Sequence, residues 1–201
     1  MGQPVIRISY NRLLDPFFRS FFELQHAGTP KNSTYTSPEV VLKKVSEFIN
    51  AWKKRESVLE FMQETLSLEF YQNAIDVHVV GFIKHAISSP MIISSTKSVD
   101  AFVDSLTHEL LHRLVSDNTK KIPAGKILLN LYPKESRLCR NHIVVHAVLK
   151  KIYLEFFKEA ERLTAIQVRD KKASAYMRAW ELVDTLGADS IIAQFKKGYQ
   201  K

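Results

Sequence analysis

The stretch Thr107-His108-Glu109-Leu110-Leu111-His112-Arg113-Leu114 sets the reading of this chain. Residues i and i+4 of an α-helix lie one turn apart on one face, so His108 and His112 can reach a single ion together. Glu109 stands beside them, within reach of a water held there. Zinc takes imidazole nitrogen, and a catalytic zinc keeps one position open for water. The spacing points to metal-assisted hydrolysis, provided the segment is helical and a third ligand exists.

The surrounding pattern predicts the helix. Ser98 is placed to cap it, and Asp100 suits its positive end. Val99, Phe102, Val103, Leu106, Leu110 and Leu114 form one apolar face, which Leu111 and Val115 extend. His108 and His112 fall on the remaining side, flanked by Ala101 and Ser105. Asp117-Asn118 ends the pattern. A helix apolar over most of its circumference is a buried one, here with its histidines looking into a cleft.

Upstream, Ala74-Ile75-Asp76-Val77-His78-Val79-Val80-Gly81-Phe82 is rich in β-branched residues and partly alternates, which predicts a strand. Pro90 to Ser95 predicts a second. His78 and His85 are isolated and read as structural or exposed. Downstream comes Arg140-Asn141-His142-Ile143-Val144-Val145-His146-Ala147, again with histidines at i and i+4. Pro133 can open this helix at its first position. Glu135 shares the stripe, since seven and eleven residues approach whole numbers of turns. Glu155 falls on the opposite face. The third ligand is a choice among His142, His146 and Glu135. Cys139 reads as a small buried hydrophobe.

Elsewhere, Phe17, Phe18, Phe21 and Phe22 follow Pro16 at helical spacing and read as core packing. A loop is expected from His26 to Ser37. Ser37-Pro38-Glu39 opens a helix carrying Val41, Val45, Phe48 and Trp52. Residues 57–71 predict another. Residues 125–132 fit either a short strand or a helix start. From 159 to 197 the pattern is helical, broken at Asp170-Lys171-Lys172 and at Gly187.

With 201 residues, 45% hydrophobic and 25% charged, one domain over 1–201 is expected. It would comprise an N-terminal helical part (1–72), a sheet with the two histidine helices (73–158) and C-terminal helices (159–201). No apolar run reaches the length of a transmembrane helix, and no membrane partner is expected. With no secretory pattern and a single cysteine, which excludes an internal disulfide, the expected location is cytoplasmic. The net charge of +8 is spread in lysine and arginine pairs such as Lys53-Lys54-Arg55 and Lys171-Lys172. It supports an alternative, a non-catalytic basic helical domain binding nucleic acid or a protein partner. The oligomeric state is not encoded legibly.

Strands followed by a His-Glu-x-x-His helix resemble the zincin metallopeptidases, over residues 75 to 150. The resemblance implies an α+β, helix-rich single domain with a small sheet and the motif helix packed against it. It implies zinc held by His108 and His112, Glu109 as general base, a peptide or protein substrate, and strand 91–95 as an edge aligning it. Departures narrow the branch. Val115 and Asn118 stand where metzincins carry Gly and His. The Gly-Thr-x-x-Asp and Asn-Glu-x-x-Ser-Asp patterns are absent, and Arg113 puts a charge beside the motif. A compact gluzincin-like protein is the nearest description, with a histidine helix in place of the glutamate ligand. By analogy with that branch, whose ligand precedes its supporting polar residue, His142 is the third ligand. His146 is then the group stabilising the reacting carbonyl oxygen.

Overall fold

The computed structural model describes residues 2–25 and 35–200, so most of the loop expected from His26 to Ser37 lies outside the described residues. In chain order the elements are β1 (Val5–Tyr10), α1 (Asp15–Gln25), α2 (Pro38–Lys53), α3 (Val58–Leu66), β2 (Ala74–Val80), β3 (Ile87–Ser88) and β4 (Met91–Ser94). Then follow α4 (Val99–Asp117), α5 (Ala124–Leu131), α6 (Arg137–Lys151), a π-helical turn (Ile152–Phe156), α7 (Ala160–Asp170), α8 (Ser174–Leu186) and α9 (Ala188–Lys197). The fold is helix-rich α+β with a small mixed sheet, as expected. Among the described residues, no helix is long and apolar enough to cross a membrane. The chain packs as two compact units, Ser57–Tyr71 with Leu111–Lys201, and Gly2–Glu56 with Gln72–Leu110.

The second of these holds the sheet, ordered β1-β2-β4-β3. β1, β2 and β4 run parallel, and β3 is antiparallel to β4. Two expectations are corrected here. Residues 5–10 form a strand within the part expected to be helical. Its partner lies far along the chain, pairing Ile6 with Ile75 and Ile8 with Val77. β4 is not an edge. β2 covers one side and β3 the other, with Ile87 opposite Ile92 and Ser88 opposite Met91. All four β4 residues are buried, so Met91-Ile92-Ile93 reads as a continuous apolar run, as parallel strands do.

One carboxylate ties the strand ends to α1. Asp15 is 2% exposed. It accepts hydrogen bonds from the Tyr10 hydroxyl at 2.8 Å, the Tyr35 hydroxyl at 2.6 Å and the Gly81 N–H at 2.6 Å. Burial and the adjacent carboxylate push the Tyr10 hydroxyl up to about 12. Gly81 has to be glycine, because a Cβ there would lie 2.2 Å from the Tyr35 ring.

The phenylalanine stripe is the third correction. Phe22 is buried against Tyr35 and Phe82, but Phe17 is 67% and Phe21 53% exposed. Phe17/Phe21 and Phe18/Phe22 are each i,i+4 pairs, about 100° apart around the helix, so a neighbour covering one pair leaves the other bare. α2 behaves as expected. Val41, Val45, Phe48 and Trp52 are buried, and Phe48 stacks on Phe102 at 3.9 Å.

In the other unit α6 is the central helix, buried at every position from His142 to Leu149. Pro133 does not open it. Ser136 caps it instead, accepting from the Cys139 N–H at 3.2 Å, a role that needs a side-chain oxygen proline lacks. Residues 124–131, ambiguous in sequence, are helical. Gly187 separates α8 from α9 at a φ of +82°, in the region that favours glycine.

Candidate metal centre

The motif helix forms as its pattern predicts. Ser98 Oγ accepts from the Ala101 N–H at 3.2 Å. Phe102, Leu106, Leu110, Leu111 and Leu114 are fully buried, while His108, Glu109 and His112 are half-buried on the remaining arc.

α6 supplies the third histidine. His142 is 4% exposed, and its Nδ1 lies 2.7 Å from the Leu138 carbonyl. A carbonyl only accepts, so Nδ1 carries the proton and the lone pair sits on Nε2. That Nε2 is 3.2 Å from His112 Nε2, with the two rings nearly perpendicular at 77°. The ligand-capable nitrogens of His108, His112 and His142 all lie within 4.8 Å of one another. Three histidines are thus close enough together to bind a metal ion.

Does the arrangement fit zinc? Zinc–nitrogen bonds of about 2.05 Å in a tetrahedron put two ligand nitrogens about 3.3 Å apart. The 3.2 Å between His112 and His142 matches that edge. The other separations in the group are at most 4.8 Å.

The electrostatics agree. Burial, with His142 beside it, pushes His112 down to about 3. Burial also lowers His142, opposed by the Leu138 carbonyl and the Asp170 carboxylate. Both rings are neutral at neutral pH, the state a metal needs. Glu109 moves the other way. Burial pushes its carboxyl up to about 7, against the pull of Lys97.

The remaining expected site residues lie elsewhere. His146 is 0% exposed, its ring stacked on Trp180 at 4.2 Å and its Nε2 3.9 Å from Asp170 Oδ2. The Trp180 indole donates to that same carboxylate oxygen at 3.1 Å. His146 therefore packs behind His142, ring centroids 5.4 Å apart, and is outside the group of three. Glu135 precedes α6 and is engaged by Arg178 at 3.0 Å. Cys139 is buried, its thiol pushed up to about 11 by burial and by Glu135, and it donates to Glu135 at 3.7 Å. His78 on β2 and His85 are not in the group. Sequence reasoning missed Tyr176, whose ring lies 4.1 Å from His142, and the part played by Asp170. Asp170 was legible only as a helix break.

Neither the family models, nor the curated proteins, nor the solved structures yield a match to this chain.

The lowered values of His112, His142 and His146 have a consequence for acid stability. An unfolded histidine protonates near pH 6.5, whereas these fold with lowered values. Below about pH 6.5 the unfolded chain then binds more protons, and stability falls as pH drops toward the folded values. The urea midpoint of metal-free protein is expected to decline over that window. The decline should be shallower in His146→Phe, which keeps an aromatic ring against Trp180. An identical pH dependence in the variant would show that His146 does not contribute.

Proposed function

We propose that this chain is a zinc-dependent hydrolase, of the peptidase class that its motif resembles. One observation carries the reading: His142 Nε2 meets His112 Nε2 at a tetrahedral ligand edge, with His108 one turn away on the same helix. His108, His112 and His142 would hold the ion. Bound there, zinc would polarise a substrate carbonyl and acidify water.

The protein's own groups do the rest. Glu109, the neighbour of His108, takes the proton of the attacking water and passes it to the leaving amine. A carboxyl with a value near 7 suits a group that must both accept and release a proton near neutrality. The Leu138 carbonyl fixes the His142 tautomer and ring. His146, Trp180 and Tyr176 form an aromatic backing for His142. His146 supports the ligand from there.

Metal-free protein titrated with zinc is expected to take up one ion per chain. At about a thousandfold excess over Kd this adds about 4 kcal/mol, or a Tm rise on the order of 10 °C. A chelator should reverse the rise, and His142→Ala should abolish it. No stoichiometric zinc, or the same Tm rise in His142→Ala, would remove the site from consideration.

A further inference from the structure

Asp170 is a buried charge to which the proposed chemistry gives no task. It is the last residue of α7, and its side chain is 11% exposed. Both features run against local preference. A helix C-terminus disfavours negative charge, and a carboxylate taken out of water is destabilising unless it is compensated. Its structural duties do not require the charge. The Asp170 carbonyl accepts from the Ala173 N–H at 3.0 Å and so closes the turn into α8. The carboxylate accepts from the Trp180 indole at 3.1 Å, a bond for which a neutral amide oxygen suffices. A residue that breaks two local rules without structural need marks a function.

The two oxygens of Asp170 face different neighbours. Oδ1 is 3.4 Å from Nε of Arg169, whose side chain is 41% exposed. Oδ2, the atom that takes the indole N–H, is 3.9 Å from His146 Nε2. His146 and Trp180 stack at 4.2 Å, and one turn earlier on the same two helices His142 meets Tyr176 at 4.1 Å. α6 and α8 thus meet as two aromatic rungs, with Asp170 beside the His146 rung and the third candidate ligand on the other. The charge reaches that ligand, since Asp170 pulls His142 toward its positive form against burial. Imidazole ligands are neutral, so a dication held by three of them keeps its full charge in a partly buried place. We propose that Asp170 is a positioning residue of the candidate metal centre. Its carboxylate, aimed by Trp180, supplies the counter-charge for a dication held at His142 and steadies that ligand through His146. The inference rests on the zinc reading and deepens it.

The test is the zinc affinity of the full chain, measured by competition with a chromophoric chelator in wild type and variants. Asp170→Asn keeps the size of the side chain and an acceptor for the indole but loses the charge. It is expected to raise the zinc Kd at least about tenfold, with the urea midpoint of metal-free protein unchanged. Asp170→Glu restores the charge and should recover most of that affinity, although its longer side chain fits the turn less well than Asn does. Trp180→Phe keeps the stacked ring and removes the N–H that aims the carboxylate. It should weaken zinc by a smaller factor and serves if Asp170→Asn fails to fold; an unchanged Kd in it then overturns the proposal. One zinc per wild-type chain with the same Kd in Asp170→Asn overturns this inference and leaves the zinc reading standing. So does equal weakening in Asp170→Asn and Asp170→Glu, which assigns Asp170 to packing alone. No zinc in wild type overturns both.

Discussion

Glu109→Gln is expected to lower peptide hydrolysis by at least about a thousandfold while leaving zinc bound at one per chain. The amide keeps the shape and burial of the carboxyl but cannot take a proton. His108→Ala should act differently, losing the ion and the activity together, because it removes a ligand. The pair separates a base from a ligand on adjacent residues. Measured zinc content beside kcat on an unstructured peptide makes the comparison. Full activity in Glu109→Gln would show that another group moves the proton. Zinc retained with unchanged affinity in His108→Ala would break the triad.

The second large effect is on stability. Asp15→Ala is expected to cost about 3–5 kcal/mol, from the loss of a buried carboxylate that accepts three hydrogen bonds. Two tyrosine hydroxyls and the Gly81 N–H would lose their common acceptor in a packed region. Against a total of about 5–15 kcal/mol for a typical domain, the loss is a large fraction. Tyr10→Phe removes one donor and leaves the carboxylate with two, so its cost should be nearer 1 kcal/mol. Urea unfolding of the three proteins measures the difference. Equal stability of Asp15→Ala and wild type would show that water replaces the carboxylate without penalty.

What was legible in the sequence follows from length and repetition. α4 runs for 19 residues, enough turns for its apolar face to stand out and for His108 and His112 to be placed on the other side. The helix breaks at Asp170–Lys172 and Gly187 were visible because charge and glycine interrupt a long periodic pattern. β1 was not, since six residues give too few alternations and its partner β2 begins more than sixty residues later. Nor was β3, with two residues, and its absence from the reading made β4 look like an edge. The fate of the phenylalanine stripe was hidden for another reason. Spacing shows which side chains share a face but not which face has a neighbour. The choice between His142 and His146 was of the same kind. Both lie on one stripe of α6, and what distinguishes them is the position of the helix against α4 and Trp180, which spacing does not contain.

The bond from His142 to Leu138 links the candidate metal centre to the start of its own helix. The acceptor is a carbonyl in the first turn of α6, next to the residue whose N–H Ser136 caps. First turns fray, and each fraying event would carry that carbonyl away from the imidazole. With an ion held as proposed, its affinity at His142 would be coupled to a local opening equilibrium several residues away. A serine that touches neither ion nor substrate would set how long the ligand stays aimed.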